Sequence, residues 1–207
     1  MIASNIIVSM ECMESMEYVE RMEHMEHMEH MENVKSMEPP GQIDVFIEIS
    51  KNSHIKYEYD KTLNALRCDR ILHTPLKYNF NYGFIPNTLS DDGDPLDVVL
   101  LMEDELVPGS YIKCEILGCL DTSDDEGNDP KIIACPIAKI DPTYKDVCDL
   151  NDVPIHTLDK IEYFFSHYKD LENKKVKIGN FINKEIAIAI YEKSKQKFIK
   201  NKNKNKM

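Results

Sequence analysis

The chain has 207 residues, 42% of them hydrophobic, which is enough for one folded domain with extensions and a real core. Its formal net charge of −12 is uneven: residues 1–40 carry −7, residues 191–207 carry +6, and the middle carries −11. An acidic middle argues against nucleic acid or an anionic membrane surface as partner, and no stretch approaches the roughly 20 apolar residues of a membrane span.

From Met10 to Glu38 the sequence repeats Met-Glu-x, most purely as MEHMEHMEH at 22–30. A period of three drifts by about 60° per repeat on a helix of 3.6 residues per turn, so it builds no apolar stripe. Residues 1–40 are therefore read as a low-complexity, disordered extension closed by Pro39-Pro40-Gly41. Residues 1–10 lack a basic leader, and Glu11 and Glu14 follow, so no secretory signal is expected. Six cysteines without a CxxC pair fit free thiols in a reducing cytoplasm.

The folded unit is expected over 41–199. Residues 43–49 and 55–60 alternate apolar and polar side chains with the period of a strand. Residues 78–84 alternate Tyr78, Phe80, Tyr82 and Phe84 with Asn79, Asn81 and Gly83. Segment 90–98 reads SDDGDPLDV, with Asp91, Asp92, Asp94 and Asp97 around Gly93 and Pro95. Carboxylates that close need a counter-charge, and oxygen ligands suit a hard divalent cation. The bland alternative is a solvated acidic turn. Strands are expected at 97–102, 110–120 and 131–138.

A second acidic cluster, DTSDDEGND at 121–129, supplies Asp124, Asp125, Glu126 and Asp129, turned by Gly127 and followed by Lys131. Neither cluster is a calcium loop of the EF-hand type. With Gly93 or Gly127 at position 6, position 1 is Thr88 or Thr122 and position 12 is Val99 or Ile133. Leu158, Ile161, Phe165 and Tyr168 share one helical face, and a last amphipathic helix is expected over 184–199. The KNKNKNKM tail, 200–207, reads as solvated. Strands followed by helices indicate a small barrel with helices outside it.

In this order, VFIEI, IKYE, CDRI, YNFNYGFIPNTLSDDGDPLDVVL, DEGNDPK and FFSHYKDLE resemble the soluble family I inorganic pyrophosphatases over about residues 41–180. The resemblance implies a mainly β fold with α elements, a five-stranded OB-type β-barrel with flanking helices. It implies hydrolysis of pyrophosphate with three or four Mg²⁺ ions. Asp92, Asp97 and Asp129 would hold the first metal, with Asp97 reaching toward a second. Asp124 would share a further metal with Asp129, and Glu48 and Glu58 would orient waters or another ion. Asp94 would be the general base for the attacking water. Lys56, Arg70, Tyr168 and Lys169 would bind phosphate with help from Lys131. Tyr78 and Tyr82 would line the site, Tyr82 near the nucleophile.

One departure stands out. The family has Asp-Glu-x-Gly in the second loop. Here the register through Gly127, Asp129 and Lys131 puts Asp124-Asp125 there, while a shifted register would use Asp125-Glu126. Asp91 has no part in the resemblance, and its replacement is expected to matter least. Family members are hexamers or dimers, so a homo-oligomer is expected, with Tyr163 and His167 at a contact. The reading from another class is a catalytically silent divalent-metal-binding or scaffold protein that kept the fold.

Overall fold

Alternating sequence patterns become strands that bury one face, and continuous apolar runs become strands buried on both. Strand β1 (Gln42–Ile49) is flanked by two antiparallel neighbours, β4 (Asn81–Ile85) and β6 (Tyr111–Asp124). Strand β5 (Leu96–Leu100) joins β4 antiparallel and β8 (Lys131–Pro136) parallel, and β8 returns to β6. The β1–β6 pairing closes a five-stranded barrel in the order β1-β4-β5-β8-β6. The computed structural model describes residues 39–124, 127–172, 174 and 176–204, without the side chain of Asp124. The Met-Glu-x extension (1–38), Asp125, Glu126 and residues 205–207 lie outside the described residues. By internal contacts the chain divides into two units, Met1–Pro40 and Gly41–Met207, and the barrel belongs to the second.

Two apolar clusters explain the patterns. One draws Ile43, Val45 and Ile47, Ile85, Leu96, Val98 and Leu100, Ile132 and Ala134, and Ile112, Cys114 and Ile116 from all five barrel strands, with Ala187, Ile188, Ile190 and Tyr191 of the last helix packed against them. The other also takes residues from all five strands, among them Ile49, Tyr82 and Leu120. It packs Val99, Leu101, Ile133 and Cys135 against Leu158, Ile161, Phe164 and Phe165 of helix α1 (Ile155–His167). Strands β5 and β8 feed both clusters, which is why LDVVL and KIIACP are nearly unbroken apolar runs. At Gly83 a Cβ would stand 1.8 Å from the Phe46 carbonyl oxygen, so β1 and β4 approach where only glycine fits.

Several expectations shift. Residues 78–80 precede β4 instead of extending it. The Tyr78 amide donates to the Ser53 carbonyl, and its carbonyl accepts from Asn52, so that stretch is bonded to the turn after β1. Strand β6 runs on to Asp124 and pairs with β7 (Gly127–Asn128), so the second acidic segment is a β-hairpin and not an open loop. Two strands carry no clear alternation: β3 (Ala65–Ile71), which pairs with β2 (Ile55–Asp60), and β9 (Lys177–Ile182), which adds to β6. The last helix, α2 (Lys184–Lys204), continues into the Lys/Asn tail.

Candidate active site

A cavity of about 680 Å³ is lined by β1, β2, β3, β4, β5, β6, β8, the 86–95 loop, α1 and α2. Among the described residues, every side chain that the family resemblance assigns to metal, substrate or catalysis lines it: Glu48, Lys56, Glu58, Arg70, Tyr78, Tyr82, Asp92, Asp94, Asp97, Asp129, Lys131, Tyr168 and Lys169. The side chain of Asp124 lies outside the description.

The carboxylates reach the cavity from several elements. The 90–98 segment is a loop closed at both ends. Thr88 Oγ1 donates to the Ile85 carbonyl (2.6 Å) and accepts from the Leu96 amide (2.9 Å). The Ser90 amide donates to the Asp94 carbonyl at 2.7 Å, and the Asp94 amide donates to Asp92 Oδ1 at 3.0 Å. Gly93 turns the chain with φ of +98°, a conformation that β-carbons resist. Asp97 stands on β5, opposite Phe84 of β4. Asp129 sits just before β8, its amide donating to the Thr122 carbonyl at 2.8 Å.

Glu48 enters through a bulge. The β1–β4 register shifts between Ile47 and Ile49, which turns Glu48 out of the ladder and toward the cavity. One of its oxygens accepts from the Tyr59 amide at 2.7 Å. A second bulge, between Lys56 and Tyr57, leaves Asp69 as the extra residue opposite them. Lys56 then faces Arg70 across the hairpin. Lys56 pairs with Glu58 and lies 3.8 Å from Asp69, while Arg70 pairs with Asp69 and, through Nε at 3.0 Å, with Glu172. Sequence reasoning gave Asp69 and Glu172 no part. Asp69 adjoins Arg70 in sequence, but Glu172 is 102 residues away and leaves no local signal.

Burial and crowding set the charges. Glu48 is pushed up to about 8, first by burial and then by Asp97 and Glu58, against the Tyr59 amide and Lys56. Burial lifts Asp129 to about 6, with Asp97 and Asp92 adding to it. Asp92 is raised too, by burial and then by its acidic neighbours. Lys131 is buried between Asp97, at 2.5 Å, and Asp129. Burial opposes its charge, but the two carboxylates override that and raise it above the ordinary lysine value. Tyr82 donates to Asp97 at 2.6 Å, and burial holds its phenol well above the usual range. Burial lifts Tyr168 to about 12, and the Lys169 ammonium stands 5.4 Å from its ring.

An all-oxygen donor set with raised carboxylates fits hard divalent cations. Among the described residues, no three His, Cys, Asp or Glu side chains converge on one ion position. Asp92 spends one oxygen on its own loop, and the Lys131 ammonium holds Asp97 and Asp129.

A family model described as inorganic pyrophosphatase matches residues 45–199, three quarters of the chain. The chain belongs to the inorganic pyrophosphatase family. It is 52% identical over 151 residues to the inorganic pyrophosphatase of Helicobacter pylori, covering 72% of this chain and 87% of that one. The Sulfolobus acidocaldarius inorganic pyrophosphatase is 48% identical over 143 residues, 69% of this chain and 83% of that protein. A solved Helicobacter pylori inorganic pyrophosphatase superposes with a TM-score of 0.75 at 48% identity, covering 79% of this chain and 98% of that one. The barrel is accordingly of the OB type, and the chain is an inorganic diphosphatase of the soluble family I.

Proposed function

We propose that this chain hydrolyses inorganic pyrophosphate to two phosphates with Mg²⁺ as cofactor and Asp94 as general base. The observation that carries this reading is the division of one cavity between carboxylates (Asp92, Asp97, Asp129, Glu48) and cations (Lys56, Arg70, Lys169) in a member of this family. Pyrophosphate is multiply charged, so one wall must neutralise it through metals and the other directly.

Asp92, Asp97 and Asp129 would hold the cations, with Asp124 and with Glu48 and Glu58 at the margin. When bound, divalent cations would neutralise the pyrophosphate oxygens and lower the pKa of the attacking water. Tyr82 fixes one oxygen of Asp97 through its hydrogen bond. Lys131 offsets the charge between Asp97 and Asp129 and assists phosphate binding. Asp94, exposed at the loop tip, is free to accept the proton of the water. Lys56, Arg70, Lys169 and the Tyr168 hydroxyl bind the phosphates, and Asp69 and Glu172 hold Arg70 in place. Tyr78, buried against Phe164, supports Tyr82 from behind.

The test is phosphate release from pyrophosphate with and without Mg²⁺, in the native chain and in Asp94→Asn. Turnover requires Mg²⁺ and falls at least about a hundredfold in the variant, the usual scale of a general base, while Mg²⁺ binding persists. Tight Ca²⁺ binding with no Mg²⁺-dependent turnover would favour the silent metal-binding reading. Equal loss of turnover and Mg²⁺ binding would make Asp94 a ligand.

Compartment and assembly complete the proposal. Among the described residues no helix is long and apolar enough to cross a membrane. Cys114 and Cys119 are buried thiols, each close enough to donate to a backbone carbonyl, which suits the cytoplasm. The exposed Tyr163 ring lies tilted against His167, centroids 4.4 Å apart, and His167 pairs with Asp170 at 2.9 Å, a surface suited to a homo-oligomer contact. Light scattering of the purified chain reads its assembly directly, and a monomer mass would overturn that part.

A further inference from the structure

Helix α2 buries only Ala187 and Ser194, little for a helix of 21 residues. Yet it reaches the cavity rim, where Phe198 lines the wall. Three polar contacts join it there to the start of the 90–98 loop. The Leu89 amide donates to the Ser194 carbonyl at 3.1 Å. Lys197 Nζ donates to the Ser90 carbonyl at 2.5 Å and to Asp91 Oδ1 at 2.9 Å.

We propose that Lys197 is a positioning residue for the reaction, holding the loop that presents Asp92 and Asp94 to the cavity. The internal bonds of that loop fix its shape: Thr88 closes its base, and the Ser90–Asp94 and Asp94–Asp92 bonds fold its tip. They do not fix where the folded tip stands against the barrel. The contacts from α2 supply that. Ser90 is 5% exposed, so its carbonyl needs a donor, and Lys197 is that donor. The same ammonium pairs with Asp91, the residue directly before Asp92. As an exposed ion pair, Lys197–Asp91 alone contributes little in water. Joined to a buried carbonyl, it pins both the entry of the loop and the side chain facing away from the cavity. This gives Asp91 a part that the family resemblance does not.

The inference rests on the proposed roles of Asp92 and Asp94, and its test separates the two. Lys197→Met, Lys197→Arg and Asp91→Asn are compared with Lys195→Met, at a lysine two residues before Lys197 that pairs with Glu192. For each, kcat, the KM for pyrophosphate, Mg²⁺ affinity by calorimetry and Tm are measured. In Lys197→Met, kcat falls and Mg²⁺ binding weakens, each about five- to tenfold, the scale of a small displacement of reacting groups. The KM stays within about twofold, because Lys56, Arg70 and Lys169 sit on other elements. Lys197→Arg restores both, since it keeps a charged donor. Asp91→Asn has the smaller effect, and adding it to Lys197→Met costs nothing further, because the pair acts as a unit. Lys195→Met behaves as the native chain. Unchanged kcat and Mg²⁺ affinity in Lys197→Met would overturn the proposal. So would losses that track a fall in Tm and that arginine does not rescue. An inactive native chain would instead count against the pyrophosphatase reading, and Mg²⁺ calorimetry alone would then decide the role of Lys197.

Discussion

Glu48 is a carboxylate whose surroundings disfavour its charge, and that has a measurable consequence for the metal-free protein. Its folded pKa, about 8, lies above the ordinary value of 4.5, because it is buried and faces Asp97 and Glu58. Between those two values the folded state binds more protons than the unfolded one, so stability falls as pH rises. The contribution is full below 4.5 and lost through about 8. Asp129 adds the same sign over a lower window, from its ordinary 3.8 to about 6. In chelator-treated protein, Tm is therefore expected to fall from pH 5 to pH 8, and Glu48→Gln is expected to flatten the upper part of that slope. A slope identical in both would show that Glu48 is not the titrating group. The carboxylates themselves were legible from sequence, since DDGDPLD and DEGND crowd them beyond what a neutral turn needs. The position of Glu48 was legible only through the family resemblance. Its entry into the cavity depends on a bulge, and a bulge leaves no pattern in a strand that otherwise alternates.

At the scale of elements, legibility followed burial. Strands with one or two buried faces announced themselves: β1 by alternation, β5 and β8 by unbroken apolar runs that serve both apolar clusters. Strands β3 and β9 did not: neither shows a clear alternation, β3 is held by pairing to β2, and β9 pairs with β6 and packs Ile178, Phe181 and Ile182 only partly against the core. Helix α2 outran its expected end for a related reason. Its last turn has no apolar stripe to read, while lysine is a good helix former. The barrel seam carries the sharpest prediction at this scale. At Gly83, any side chain would meet the Phe46 carbonyl and the Ile47 backbone at 3.0 Å or less, and backbone in a closed barrel has nowhere to retreat. Gly83→Ala is expected to destabilise by about 3 kcal/mol or more, the range of serious overpacking. For a domain of this size that lowers Tm by roughly 10 °C. The neighbouring pair Phe46 and Phe84 would report it, because the rings sit 5.1 Å apart across the same seam. A native-like Tm would mean that β1 and β4 separate more easily than a closed sheet allows.

For the whole molecule, the acidic balance and the site are one problem. A net charge of −12 opposes compaction, and the cavity concentrates that opposition by burying Glu48, Asp92 and Asp129 near one another with Lys131 among them. Divalent cations that bind the folded site and not the unfolded chain stabilise by mass action, about 2.7 kcal/mol at a hundred times the dissociation constant. Saturating Mg²⁺ is therefore expected to raise Tm by roughly 5–10 °C. Protons and cations compete for the same oxygens, so the gain is expected to be larger at pH 8 than at pH 5.5, and the falling pH slope of the metal-free protein should level out. Sodium chloride at matched ionic strength isolates the alternative, in which salt merely screens a crowded surface. If Na⁺ and Mg²⁺ shift Tm equally at both pH values, the carboxylates are a diffuse acidic field. If Mg²⁺ alone does so, with the stated pH dependence, they are a binding site, and the cost of burying them is offset by the ion that they hold.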